Sequence, residues 1–187
     1  MIEPYRALKT IADHRTDEVI ITTMSSSRSW PEFSSRPDLD LPLRGCMGKA
    51  SSLGLGVALA RPDRRVVVLD GDGSLMMNLG SLVTISGMAP KNLVHVVLEG
   101  HSYDTSGGQP TPGEGRTDLA GLARAAGYKT AVSIEENADL DQQWPSLVNA
   151  EGPVFVRLHV PSMWVTGEMP PAVSGGWKKV AEALATA

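Results

Sequence analysis

The sequence predicts an α/β domain whose mainly parallel sheet is sandwiched by helices. Three observations point there. Short β-branched runs recur along the chain, segments of helical character separate them, and the runs are continuously apolar rather than alternating, as in strands buried on both faces.

Four runs read as strands: Glu18 to Thr23, Arg65 to Asp70, Leu93 to Leu98, and Val154 to Val160. Helices are expected from Lys49 to Ala60, Ser74 to about Gly87, Asp118 to Gly127, and Asp139 to Asn149. In the second of these, Leu75, Leu79, Leu82 and Val83 recur at helical spacing. Two irregular segments, Ser25 to Leu43 and Ser102 to Thr117, are long for plain connections, which suits loops that serve a site. The stretch from Pro161 to Gly176 leads to a short possible helix, Trp177 to Leu184. Residues 1–187 are expected to form one domain, with 161–187 a tail whose Trp164 and Trp177 either pack internally or meet a partner chain.

Bulk properties exclude several roles. With 187 residues, 42% of them hydrophobic, the chain can bury a sizeable core. Its 17 basic and 21 acidic side chains leave a formal charge of −4, with no run able to grip nucleic acid or an anionic membrane. No apolar stretch approaches the ~20 residues of a membrane span, and the start carries no signal-peptide pattern, so a cytoplasmic location is expected. Cys46 is the single cysteine, which leaves no internal disulfide and no cysteine-based zinc site.

In such a fold a ligand sits beyond the carboxyl ends of the strands, so the loops after Thr23, Asp70 and Leu98 are the places to look. After the second strand comes Asp70-Gly71-Asp72-Gly73-Ser74. Its glycines let a bulky anion approach the backbone, and amides opening the next helix can cradle phosphate oxygens. Asp72 repels a phosphate unless a divalent cation lies between them, most simply magnesium with oxygen ligands. The motif by itself also fits an Asp that merely caps the helix.

Four segments in this order closely resemble the thiamine-diphosphate-binding domain of the sulfopyruvate and phosphonopyruvate decarboxylases: Gly45 to Asp63, Val66 to Ile85, Pro90 to Leu98, and Gly107 to Thr111. The resemblance runs from about Arg15 to Val160, and the stand-alone domain is most similar to the beta subunit of the two-chain sulfopyruvate enzymes. It implies thiamine diphosphate and Mg²⁺ as cofactors. Asp72 would ligate the metal, with the Ser102 carbonyl nearby; Gly71, Gly73 and Ser74 would hold the diphosphate. Thr23, Ser26 and Ser27 match a second diphosphate-contacting turn. Gly45, Cys46 and Met47 match the loop beneath the cofactor, in which the Gly45 carbonyl meets the aminopyrimidine and Met47 props the bent cofactor. Tyr103 would contact cofactor, and Arg28, Thr105 and Gln109 substrate.

The chain departs from the family pattern at three places. Gly100 stands where an asparagine metal ligand is expected, so the cation must accept water there or recruit Glu99 or His101. Met24-Ser25 replaces a Gly-Lys pair, removing a cation suited to an anionic head group, and Ser29-Trp30 replaces Glu-Leu. Asp104-Thr105-Ser106 precedes Gly107 where a Ser-Thr order is typical. The glutamate that activates the aminopyrimidine belongs to another domain in this superfamily. Glu99, Glu114 and Glu135 do not lie in a context resembling it, so a partner subunit is expected, as a heterodimer or heterotetramer, with a small 2-oxo acid as substrate. The resemblance therefore implies the diphosphate- and metal-binding subunit of a two-chain 2-oxo acid decarboxylase with a sulfopyruvate- or phosphonopyruvate-like substrate. The alternatives are a carboligase or acyl-transferring enzyme, and a non-catalytic subunit with an impaired metal site.

Overall fold

The computed structural model describes residues 1–162 and 176–185. Helix α1 (Pro4–Asp13) precedes strand β1 (Val19–Thr23), helix α2 (Met24–Ser29), two short 3-10 turns and strand β2 (Asp40–Leu43). Then follow α3 (Ala50–Ala60), β3 (Val66–Gly71), α4 (Asp72–Met76), α5 (Gly80–Met88) and β4 (Leu93–Glu99). A small hairpin, β5 (Ser102–Tyr103) and β6 (Gln109–Pro110), leads to α6 (Leu119–Ala126), β7 (Thr130–Ile134), α7 (Asn137–Asn149), β8 (Val154–His159) and α8 (Gly176–Ala185). Among these helices none is long and apolar enough to cross a membrane.

Six strands form one sheet in the order β2-β1-β3-β4-β8-β7, every pair parallel. All residues of β1 and β4 are buried, as continuous apolar runs require when helices cover both faces. On one face Ile20, Leu69, Val96 and Val156 pack with Leu8 and Ile11 of α1 and Leu140 and Trp144 of α7. On the other, Ile21, Val68, Val97 and Phe155 pack with Leu55 of α3, Ile85 of α5, Ala123 of α6 and Val180 of α8.

The strand order places the site. Leaving β1, the chain turns outward to β2 on one side; leaving β3, it proceeds to β4 on the other. The two connections diverge and open a crevice at the carboxyl ends of β1 and β3, the switch point where ligands bind in such sheets.

Several expectations need correction. The helix expected from Ser74 to Gly87 is two helices, broken around Asn78, whose Nδ2 donates to the Gly48 carbonyl at 2.9 Å. Leu75 and Leu82 are buried, whereas Leu79 and Val83 are exposed, so the apolar spacing does not mark one continuous core face. The irregular segment Ser25 to Leu43 contains α2 and the edge strand β2. Trp164 lies outside the described residues. Trp177 opens α8 and is half exposed, while Val180 of the same helix is buried in the core.

Candidate functional site

At the end of β3 the Asp70 carboxylate is buried and Oδ1 accepts the Gly71 amide at 2.9 Å. Its Oδ2 lies 3.3 Å from His95 Nε2, and His95 Nδ1 lies 3.4 Å from the Tyr128 hydroxyl. Burial, with the Asp70 charge adding to it, raises the Tyr128 pKa, which keeps that phenol neutral. The Gly71 amide is spent on Asp70 and the Gly73 amide on the Asp72 carboxylate, so Ser74 carries a first-turn amide of α4 left for a ligand. Gly71 itself is open, since a Cβ added there would meet nothing within 4 Å. Gly73 is closed: a Cβ would lie 2.6 Å from the Tyr103 ring, so the β5–β6 hairpin covers the start of α4.

The Gly45 to Gly48 loop is pinned against this turn. The Gly48 amide donates to Ser74 Oγ at 3.0 Å, leaving the Ser74 proton available to another acceptor. Gly48 has φ +75°, and a Cβ would crowd Asn78 and Met77, so glycine is required by both conformation and space. Met47 faces the cleft, while Gly45 and Cys46 are exposed and do not line it.

Across the crevice, Thr23 at the end of β1 presents a buried hydroxyl with no hydrogen-bond partner. Ser26 also lines the cleft, but its hydroxyl accepts the Thr23 amide and sits 2.8 Å from the Thr23 and Leu69 carbonyls. Ser27 points elsewhere. Its hydroxyl bonds Thr22 Oγ1, and it lines a separate cavity of about 470 Å³ with Trp30, Asp40 and Arg44.

Asp72 is the charged center of the cleft. Its Oδ2 accepts the His101 amide at 2.9 Å and the Thr111 hydroxyl at 3.3 Å. Burial raises its pKa, with the nearby Glu99 charge acting the same way, against the Gly73 and His101 amides and the Thr111 hydroxyl. A cation would relieve this buried charge. Ser102 and Gly100 line the same cleft. A Cβ on Gly100 would lie 3.3 Å from Ser162 Cα, so the segment after β8 occupies the space a side chain would enter. Glu99 is buried and paired with Arg157, and the His101 ring packs edge-on against His159 at 5.5 Å, so neither side chain lines the cleft. Among the described residues no three His, Cys, Asp or Glu side chains form a group able to hold a metal.

Tyr103 and Thr105 line the cleft; Arg28 and Gln109 do not, and Gln109 is exposed against its own hairpin. Seven lining residues were not foreseen as contacts: Met24, Ser25, Asp70, Leu98, Gly100, Asp104 and Val160. Met24 and Ser25 follow β1 directly, in a loop already singled out. Val160 comes close only through the pairing of β8 with β4.

The enclosed volume is about 50 Å³. Sites that enclose a small molecule typically measure roughly 300–1,000 Å³, so this chain provides one wall rather than a closed pocket.

Residues 26–158 match the model of the thiamine pyrophosphate enzyme C-terminal, TPP-binding domain. The phosphonopyruvate decarboxylase of Streptomyces viridochromogenes is 41% identical over 78% of this chain, which spans 36% of that protein. The sulfopyruvate decarboxylase subunit beta of Methanothermobacter thermautotrophicus is 39% identical over 86% of this chain and 82% of its own length. Thus the chain spans about a third of the phosphonopyruvate enzymes but most of that beta subunit. Among solved structures, a thiamin diphosphate-dependent enzyme from Mycobacterium smegmatis superposes with a TM-score of 0.71 over 86% of this chain and 32% of its own, at 21% identity. The benzoylformate decarboxylase of Polynucleobacter necessarius gives 0.69 over 90% of this chain and 34% of its own, at 19% identity. The chain accordingly belongs to the thiamine pyrophosphate enzymes, as a domain of their C-terminal, TPP-binding type.

Proposed function

We propose that this chain is the diphosphate- and metal-holding subunit of a two-chain thiamine-diphosphate-dependent 2-oxo acid decarboxylase. One observation carries this: a cleft joins the buried Asp72 carboxylate, the Ser74 hydroxyl and the unpartnered Thr23 hydroxyl, and no glutamate among the described residues lines it. The donors fit a diphosphate, and the Asp72 carboxylate fits a Mg²⁺ that keeps most of its ligands as water. The glutamate for the aminopyrimidine then comes from the partner subunit, and the carbon nucleophile and electron sink come from the cofactor.

This chain's residues bind and orient. Ser74 would give its amide and its hydroxyl proton to the diphosphate, with the Thr23 hydroxyl across the crevice. Asp72 and the Ser102 carbonyl would hold the cation, with water completing its shell. Met47 supports the cofactor from below, and Tyr103 and Thr105 face the substrate side. In the net reaction the bond between the carboxylate and the keto carbon breaks, carbon dioxide leaves, and a proton joins the former keto carbon to give an aldehyde.

The test is to recover the tagged chain with its co-purifying partner, titrate thiamine diphosphate with Mg²⁺ by calorimetry, and assay 2-oxo acids for carbon dioxide and aldehyde. Uptake that Asp72→Ala abolishes, with aldehyde formed, is expected. Unaltered uptake in Asp72→Ala overturns the site. Condensation with an added aldehyde in place of aldehyde release makes the enzyme a carboligase.

A further inference from the structure

A buried polar relay runs from the cleft into the core. His95 of β4 pairs with Val68 of β3, and Asp70, two residues further along β3, points to the same face of the sheet. Asp70 Oδ2 therefore comes within 3.3 Å of His95 Nε2, and Nδ1 of the same ring lies 3.4 Å from the Tyr128 hydroxyl. All three side chains are buried. Phe155 of β8 meets both rings edge-on, at 5.3 Å from His95 and 5.8 Å from Tyr128, which fixes the plane of the imidazole.

Fold stability does not call for this arrangement. Burying a carboxylate, an imidazole and a phenol carries a desolvation cost that apolar side chains of similar volume avoid. Of the three, only Asp70 lines the cleft. Its Oδ1 accepts the amide of Gly71, the N-cap of α4 and the residue before Asp72. That bond sets the direction in which the chain leaves β3, and with it the places of the Asp72 carboxylate and the Ser74 amide. The other oxygen, Oδ2, is held by His95. An ionized carboxylate only accepts hydrogen bonds, so the Nε2 that faces it carries a proton.

We propose that His95 is a positioning residue for the diphosphate site: its Nε2–H holds Asp70, and Asp70 holds the Gly71 amide, so that the first turn of α4 is set before the cofactor arrives. Tyr128 and Phe155 keep the imidazole in that orientation. The proposal rests on the reading of the cleft as the thiamine diphosphate site, and it adds a residue that lies behind the cleft wall.

The test uses the assembled two-chain protein and compares the wild type with His95→Leu and His95→Gln. Leucine fills the space without a donor, whereas the glutamine amide reaches the place of Nε2. Calorimetry with thiamine diphosphate and Mg²⁺ should show uptake weakened about tenfold or more in His95→Leu and restored to within about threefold in His95→Gln, the scale on which outer hydrogen bonds act on a binding site. Hydrogen exchange gives a readout that needs no cofactor. The Gly71 amide should exchange about tenfold faster in His95→Leu, while the Val67, Val68 and Leu69 amides of β3 keep their rates. Where His95→Leu does not fold, His95→Asn takes its place, because its shorter amide reaches the place of Nδ1 and not Asp70. In the wild type, nitrogen NMR with isotope-labeled histidine in this chain should find a proton on His95 Nε2, and a bare Nε2 overturns the proposal. Equal acceleration of Gly71 and the β3 amides means that His95 serves stability alone and overturns it too. So does cofactor uptake that His95→Leu leaves unchanged, or that His95→Gln does not restore. A wild type that takes up no cofactor overturns the reading of the cleft, and the proposal falls with it.

Discussion

Asp72 Oδ2 accepts the backbone N–H of His101 at 2.9 Å, which ties the first turn of α4 to the chain just beyond β4. Asp72 is thus held between two elements at the switch point, and burial raises its pKa above the ordinary aspartate value of 3.8. For an acid the sign is unfavorable. The folded protein holds that proton more tightly than the unfolded chain, so stability falls as pH rises from the ordinary value through the raised one. Asp72→Asn should remove this pH-dependent loss and, without Mg²⁺, raise the melting temperature at pH 7 by on the order of 2 °C. The same substitution should abolish Mg²⁺-dependent cofactor uptake. Melting curves across pH, with and without Mg²⁺ and cofactor, check both; a wild type and variant with the same pH profile would sink the electrostatic account.

Arg157 donates to Glu99 through Nε and Nη2, and its Nη1 reaches Glu135. Glu99 is only 3% exposed, so its charge depends on that pairing. Arg157→Met should destabilize the protein by about 3–5 kcal/mol, the scale for leaving a buried charge without its partner. Adding Glu99→Gln should recover much of the loss, because the uncompensated charge is gone. Urea unfolding of the single and double variants measures the coupling, and strictly additive losses would contradict it.

Gly54 of α3 faces β3 so closely that an added Cβ would lie 2.4 Å from Val68 Cγ2. Gly54→Ala should cost about 1–3 kcal/mol through overpacking, since the opposing atom belongs to a short branched side chain in a filled core. Cofactor affinity of the assembled protein should stay within twofold, because Gly54 does not line the cleft. A large affinity change at unaltered stability would show that α3 has a part in the site that packing does not explain.

The central sheet was legible because β1, β3, β4 and β8 are continuous β-branched runs, and burial on both faces demands that composition. The edges were not. β2 contains Pro42 and pairs only with β1, while β7 is partly exposed, so neither carries the apolar density of a buried strand. Helix α1 was missed although Ala7, Leu8 and Ile11 fall at helical spacing; its cap is Glu3, accepting the Tyr5 and Arg6 amides, outside the usual capping residues. In the site, the Gly71 to Ser74 motif was readable because its residues are contiguous. The His101 amide on Asp72, the Ser162 backbone beside Gly100 and the turning of Ser27 away from the cleft arise from packing between distant segments, which local spacing does not encode.

Gly73 gives the sharpest separation of site from fold. It is buried in the first turn of α4, and a Cβ would stand 2.6 Å from Tyr103 Cδ1 and Cε1 and 3.3 Å from Thr111 Cγ2. The obstruction is the aromatic ring on β5, in a two-stranded hairpin outside the main sheet. Gly73→Ala should therefore push the hairpin off α4, at about 1–3 kcal/mol, while the six-stranded core persists. Because Thr111 also donates to Asp72, the displacement should loosen the carboxylate and weaken cofactor and Mg²⁺ uptake by tenfold or more. Truncating the obstruction should undo part of this: Gly73→Ala with Tyr103→Ala makes room for the Cβ and should regain stability relative to Gly73→Ala alone. Calorimetric titration and thermal unfolding of the single and double variants read the two effects separately. Unchanged cofactor affinity in Gly73→Ala would mean that the hairpin does not position Asp72.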